Sequence, residues 1–262
     1  MSRPPRTVRG KGPTSRLRAL VTDVDGTLTD AERRLDPVAI DALRSLTRAG
    51  WPVLLATGNV LPIALALHRS LGIHGPVVAE NGGILWEQRN GRDHVVRLSD
   101  RRVALRAFHH ARREGLPVRA LFTDRWRETE VGLEPTVSVR RLARAVRGFP
   151  VTVESTGFAL HIMARGAGKR RAVERALRPL GLTLSDCVVA GDGDNDVEML
   201  KAAGASVSFS DGSARARRAA GYVARRPHAR GFVEALMRLG VYDGPVLGGV
   251  DRDARRKLRT VR

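Results

Sequence analysis

The sequence predicts an α/β chain: a doubly wound parallel sheet with a small α+β unit inserted into it. Three observations predict this. Between residues 17 and 79, short apolar runs alternate with stretches of helical period, the β-α-β-α-β order of a parallel sheet covered on both faces. From about residue 84 to 163 the pattern becomes short alternating strands interleaved with two arginine-rich helices, the look of an antiparallel insert. From Gly168 the first pattern resumes and continues to about residue 240. The boundaries that follow are a core made of 17–84 and 164–240, an insert over 85–163, and basic tails at 1–16 and 241–262. At 262 residues and 42% hydrophobic, the chain can bury such a core and its insert.

Residues 1–16, rich in Arg, Pro and Gly, read as disordered. Leu17 to Val21 is a mostly apolar strand running into Asp23 and Asp25, and Gly26 allows a sharp turn after it. Side chains alternate along a strand, so the two carboxylates are expected to point the same way. Like charges packed at a buried strand end need a cation or a proton-transfer role to compensate them. Asp36-Pro37 reads as an N-cap and first helical position, opening a helix that stops at Gly50. A strand over 51–56 closes on Thr57-Gly58-Asn59, a helix spans 60–71, and a strand over 75–79 leads into Glu80-Asn81-Gly82-Gly83. Trp51 and Trp86 read as packing residues.

In the insert, strands are expected over 118–122, 151–154 and 158–163, and helices over 100–114 and 138–147. Beyond it, a helix over 169–180 precedes a strand over 187–190, which closes on GDGDND. A helix over 197–203, a strand over 205–209 and helices over 213–220 and 231–239 follow, and the chain is expected to fray after Gly240.

The net charge of +19 is carried almost wholly by arginine, since only Lys11, Lys169, Lys201 and Lys257 among the 46 basic residues are lysines. The two tails concentrate this charge, which allows non-specific attraction to nucleic acid. Aromatic content of 4% gives little to stack bases on, so specific nucleic-acid recognition is not expected. The single cysteine, Cys187, excludes an internal disulfide and fits a reducing, cytoplasmic setting. No apolar run is long enough to span a membrane, and no signal-peptide pattern opens the chain.

DVDGTLT after an apolar strand resembles the first signature of the haloacid dehalogenase-like phosphohydrolases. Thr57 in LLATGN, Lys169 at the start of a helix, and GDGDND with Asp192 and Asp196 stand where that superfamily has its other three motifs. The Asn81-Gly82 loop and an α+β insert of about 80 residues resemble its Cof-like branch, and within it the archaeal phosphoglycolate phosphatases and sucrose-phosphate-phosphatase-like relatives. The resemblance implies an Mg²⁺-dependent phosphatase acting on a small phosphate monoester through an aspartyl-phosphate, with 2-phosphoglycolate as the expected substrate. It makes Asp23 the nucleophile and Asp25 the general acid/base. Asp23, the Asp25 carbonyl, Asp192 and Asp196 become the metal group, and Thr57, Gly58, Asn59, Lys169 and Asn195 the phosphate-binding set.

These groups suit phosphoryl transfer because a dianionic phosphate can meet a carboxylate only where its charge is neutralised. Asp194 reads as a solvent-facing loop residue, and Asn195 as either a brace for the loop and Lys169 or a substrate contact. His161, on an alternating strand, reads as a satisfied residue of the insert, which in this family acts as a cap. Arg125 and Arg127, in a polar turn of the cap, are candidates for a substrate carboxylate. Rival readings are a sugar-phosphate phosphatase or phosphomutase of the same branch, and a nucleic-acid-binding protein on a phosphatase-like fold. The oligomeric state is open between monomer and homodimer.

Overall fold

The computed structural model describes residues 17–244, so the expectations for 1–16 and for most of the C-terminal tail lie outside the described residues. The first strand, β1 (Ala19–Thr22), is buried throughout. Leu20 packs into one apolar cluster and Ala19 and Val21 into another, as a central strand covered by helices on both faces requires. Helix α1 (Pro37–Arg48) starts where the Asp36 carboxylate accepts the Val38 N–H at 3.0 Å, with Pro37 supplying its fixed φ to the first turn. β2 (Val53–Ala56), α2 (Leu61–Leu71) and β3 (Val77–Ala79) complete the predicted alternation. Here the chain departs from the sequence reading. β4 (Ile84–Arg89) and β5 (Arg92–Arg97) form a hairpin that pairs antiparallel onto β3 and extends the large sheet, instead of opening the insert at residue 85. Its turn is Asn90-Gly91, both at positive φ (50° and 71°), the geometry whose twist matches two antiparallel strands.

The small sheet follows. α3 (Arg101–Arg113) is capped by Asp100, β6 is Glu130–Leu133, and α4 (Val139–Ala145) is capped by Ser138. β7 (Val151–Ser155) and β8 (Leu160–Ala164) finish an antiparallel sheet ordered β6-β8-β7. The strand expected over 118–122 is absent. Only a single bridge, Ala120 to Leu133, touches β6, and the chain then curls into a 3-10 turn at Phe122–Trp126. Asp124 causes the curl, because its carboxylate accepts the Gly132 N–H at 2.8 Å and an Arg101 N–H at 2.7 Å. The register gives the sheet two unlike faces. Val131, Leu133, Val151, Leu160 and Ile162 pack with α3 and α4. The opposite face carries Glu130, Gly132, Thr152, Glu154, His161 and Met163.

α5 (Lys169–Leu177), β9 (Cys187–Ala190), α6 (Val197–Ala202), β10 (Ala205–Ser208), α7 (Ala214–Ala219), β11 (Tyr222–Val223) and α8 (His228–Arg238) return to the large sheet. Its eight strands run β11-β10-β9-β1-β2-β3-β4-β5, parallel up to β3. The two-residue β11 was not expected. Fraying after Gly240 is corrected as far as Gly244: Tyr242 is buried and its hydroxyl donates to Asp41 at 2.7 Å, tying the chain back onto α1. Among the described residues no helix is long and apolar enough to cross a membrane.

Candidate active site

Ligands of open α/β sheets bind beyond the carboxyl ends of the strands, and the sequence motifs meet there. Asp23 follows β1, Thr57 follows β2, Asn81 follows β3, Asp192 follows β9, and Lys169 opens α5. Lys169 is buried, and its Nζ donates to Asp23 Oδ1 at 2.8 Å and Asp196 Oδ1 at 2.7 Å. Asp196 accepts the Gly193 N–H through its other oxygen at 2.9 Å, so it fixes its own loop while holding the lysine. Asp192 accepts from the Thr27 hydroxyl at 2.9 Å. Gly26 makes that approach possible. It sits at φ 80°, and a β-carbon there would fall 2.4 Å from Asp192 Oδ2.

Asp25 arrives by a route the sequence reading did not foresee. β1 ends at Thr22, and the chain turns helically, with the Leu28 N–H on the Val24 carbonyl at 2.8 Å. The turn, not strand alternation, brings Asp25 to the cavity beside Asp23. There its carboxylate accepts from Asn59 Nδ2 at 2.6 Å and from Arg33 Nε and Nη2 at 3.2 and 3.1 Å. Thr57 is buried, and its hydroxyl oxygen accepts the Asn59 N–H at 3.0 Å, which shapes the Thr57-Gly58-Asn59 loop.

Oxygen donors of Asp23, Asp192 and Asp196 lie within 4.8 Å of one another. Burial raises the Asp23 carboxyl well above the ordinary carboxylate range; Lys169 opposes the rise, and the charges of Asp196 and Asp192 add to it. Burial, followed by the charge of Asp196, pushes Asp192 up to about 7. The Lys169 ammonium holds its proton more tightly than usual, because its two carboxylates outweigh the cost of burial. Three hard oxygen donors, mutually repelling and balanced by one lysine, suit a divalent cation. A metal ion therefore fits the residues present.

A cavity of about 300 Å³ opens above these groups, with Asp23, Asp25 and Asp192 on its floor and Arg33, Phe158 and His161 around it. A second cleft of about 500 Å³, reached by Lys169 and Asn195, contains none of the three clustered carboxylates. The polar face of the small sheet supplies the roof. His161 is buried, with Nδ1 2.9 Å from Glu130 and Nε2 3.3 Å from the Thr156 hydroxyl. It is thus satisfied, as the sequence suggested, and also part of the cavity wall. Asn195 donates to Asn81 at 2.9 Å, and Asn81 donates to Glu130 at 3.0 Å, which makes Asn195 a brace across the two sheets. Asp194 accepts from Ser213 at 2.6 Å and Arg215 at 3.2 Å, away from the carboxylate cluster.

The two cap arginines part company: Arg127 lines the cavity and Arg125 does not. Arg125 lies against the exposed rings of Phe122 and Trp126, its guanidinium carbon 4.2 and 5.5 Å from their centroids, and it does not line the cavity. Arg127 is no solvated turn residue. It is 5% exposed, paired with Glu130, and donates to the Gly58 carbonyl at 3.0 Å, so it joins cap to core. Sequence reasoning missed Glu80, Glu130 and Arg33. Glu80 accepts from the Thr129 N–H at 2.8 Å and its hydroxyl at 2.6 Å, a second buried tie between core and cap. A glutamate in the wholly buried strand β6 was the available signal for Glu130. No local pattern marks Arg33.

The family model described as haloacid dehalogenase-like hydrolase matches residues 20–127 and 138–236. The chain is 37% identical over 223 residues to a phosphoglycolate phosphatase of Methanothermobacter thermautotrophicus, covering 85% of this chain and 98% of that one. It is 34% identical to the phosphoglycolate phosphatase of Methanoculleus marisnigri, over 86% of this chain and 98% of that relative. Among solved structures, Thermoplasma acidophilum 0175 superposes with a TM-score of 0.78 at 25% identity, over 86% and 99% of the two chains. A haloacid dehalogenase-like hydrolase from Bacteroides thetaiotaomicron gives 0.68 at 19% identity, over 85% and 99%. The matched stretches carry the clustered carboxylates, the lysine that balances them and most of the cap above, and on that ground the chain belongs to the haloacid dehalogenase-like hydrolases.

Proposed function

We propose that this protein is a phosphatase that hydrolyses 2-phosphoglycolate to glycolate and phosphate, with Mg²⁺ as its metal and Asp23 as its nucleophile. The observation that carries the reading is the setting of Asp23. It is a buried carboxylate at a strand end, held by Lys169 at 2.8 Å, grouped with Asp192 and Asp196, and open with Asp192 to the floor of a cavity. Family membership supports the phosphatase chemistry, and the phosphoglycolate phosphatases among the relatives support the substrate.

Asp23, Asp192, Asp196 and the Asp25 carbonyl would hold the ion. Bound there, Mg²⁺ neutralises charge on the nucleophile and on a phosphoryl oxygen. Asp23 attacks phosphorus in line, so an O–P bond forms to its carboxylate as the bond to the substrate oxygen breaks. Asp25 gives that oxygen a proton and afterwards takes one from the water that cleaves the acyl phosphate. Asn59, at 2.6 Å, fixes the Asp25 carboxylate for both transfers. Lys169 offsets charge throughout, and Thr57, the Gly58-Asn59 backbone and Asn195 border the phosphoryl position. The buried, unpaired Cys187 accords with a cytoplasmic setting.

The test is phosphate release from 2-phosphoglycolate with Mg²⁺ and with chelator, in the native chain and in Asp23→Asn. Release that needs the metal and disappears in the variant supports the reading. Substantial turnover by a clean, folded Asp23→Asn preparation overturns the covalent route.

A further inference from the structure

Arg125 lies on the surface, and Arg127, although it lines the cavity, is tied to Glu130 and the Gly58 carbonyl, so neither is the group best placed to read a substrate's tail. Arg33 is placed to do so. It sits on the core, in a turn spanning Asp30 to Arg34 and closed by the Thr29–Leu35 bridge. The Asp30 carboxylate fastens that turn, accepting the N–H groups of Glu32 and Arg34 at 3.0 and 2.9 Å. Arg33 itself holds φ 64°, a conformation that residues with a β-carbon rarely adopt and that glycine would take at no steric cost. Its side chain leans over the cavity, touches Asp25 through Nε and Nη2, and lies 4.1 Å from the Phe158 ring centroid. Phe158 lies in the turn between β7 and β8 and is 41% exposed, so this contact spans the cavity mouth from core to cap.

We infer that Arg33, steadied on the face of Phe158, is the group that binds the substrate's carboxylate and selects monoesters with an anion close to the phosphate. This rests on the phosphatase reading of the site. If Asp25 protonates the leaving oxygen, that oxygen comes within hydrogen-bond distance of the Asp25 carboxylate. In 2-phosphoglycolate the carboxylate lies one methylene beyond the leaving oxygen. A guanidinium already in contact with Asp25 is therefore within reach of it. Arginine's planar fork matches a carboxylate through two parallel N–H donors; Nε and one Nη2 hydrogen serve Asp25, so the Nη1–Nη2 end is the one turned to the substrate, and the Phe158 face keeps the plane oriented. A monoester with a neutral tail would gain nothing from the same group, so the contact discriminates by charge.

The test compares 2-phosphoglycolate with ethyl phosphate, which has an uncharged methyl in place of the carboxylate. Arg33→Gln should reduce the ratio of their kcat/KM values by roughly ten- to a hundredfold, mainly through KM for 2-phosphoglycolate. Arg33→Lys should restore part of the ratio, and Phe158→Leu should reduce it by a smaller factor. A ratio unchanged in Arg33→Gln, whether both substrates fall together or neither falls, overturns the assignment. Calorimetric binding of both esters to Asp23→Asn with Mg²⁺, with and without the Arg33 change, gives a readout free of turnover. An Arg33-dependent preference there upholds the assignment even if the native chain releases no phosphate, a result that would sink the phosphatase reading alone. Turnover that favours 2-phosphoglycolate regardless of residue 33 would sink the assignment alone.

Discussion

Lys169 and Asp196 show how single side chains set this site's electrostatics. Both are buried, and they pair with each other at 2.7 Å. Lys169→Met removes the one cation that, among the described residues, bonds both Asp23 and Asp196, and breaking a buried pair from one side costs about 3–5 kcal/mol. Urea unfolding at neutral pH should show that loss, along with lost turnover. Asp192 and Asp194 separate in a different measurement. Asp192 belongs to the carboxylate group, whereas Asp194 is engaged by Ser213 and Arg215. Asp192→Asn should therefore move the midpoint of Mg²⁺ activation to much higher concentration, and Asp194→Asn should shift it far less. Equal shifts would contradict the assignment of Asp192 as ligand. Much of this site was legible in the sequence, because Asp23, Thr57 and Asp192 follow apolar strands and Lys169 begins a helix. A parallel sheet brings such positions together without further information. Arg33 and Phe158 were not legible, since they reach the cavity only when a turn of the core and a second sheet fold over it.

At the scale of elements, periodicity located most helices of the core and of the cap to within a residue or two, with Asp36, Asp100 and Ser138 marking three starts, but it placed the start of α8 three residues late, at 231 instead of His228. It failed at the β4–β5 hairpin, even though Asn90-Gly91 between apolar runs carries its own signal. Strand alternation reports that a strand exists and says nothing of which sheet it joins. Gly91→Ala, forced into the left-handed region, should cost about 1 kcal/mol in denaturant stability and leave turnover unchanged. The ties between the sheets predict a pH effect. Burial alone would raise the Glu130 carboxyl, but His161 and Arg127 bring it below its usual 4.5. A carboxylate lowered in the folded state contributes stability above its unfolded pKa and loses it as pH falls through the folded value. Glu130→Gln should thus destabilise the protein by about 3 kcal/mol at pH 7, and the difference should narrow as the pH drops below about 4.5. Urea midpoints across that range would show it. A constant difference would mean that packing, not charge, carries the contact.

At the scale of the molecule, the small sheet is joined to the large one in two contrasting ways. On one side lie the buried ties from Glu80 to Thr129 and from Asn81 to Glu130; at the mouth lies the partly exposed stack of Arg33 on Phe158. Every residue of the proposed chemistry lies within 17–244. A chain cut to those residues should keep its turnover of small phosphates and lose most of the salt-dependent attraction to nucleic acid that the basic tails would confer. A large fall in turnover by the folded, shortened chain would show that a tail serves the site.

The two faces of the small sheet also separate two kinds of selection. Val131, Leu133 and Ile162 keep the cap folded, and they look away from the cavity. On the other face, Thr152 and Glu154 lie outside that apolar cluster, so they can change without cost to the cap's own packing. Glu130 and His161 are less free, because they also hold the sheets together. Sequence can therefore vary along the polar face of β7 while the catalytic floor stays fixed. A library randomised at Thr152 and Glu154 should yield folded variants far more often than one randomised at Val131 and Ile162.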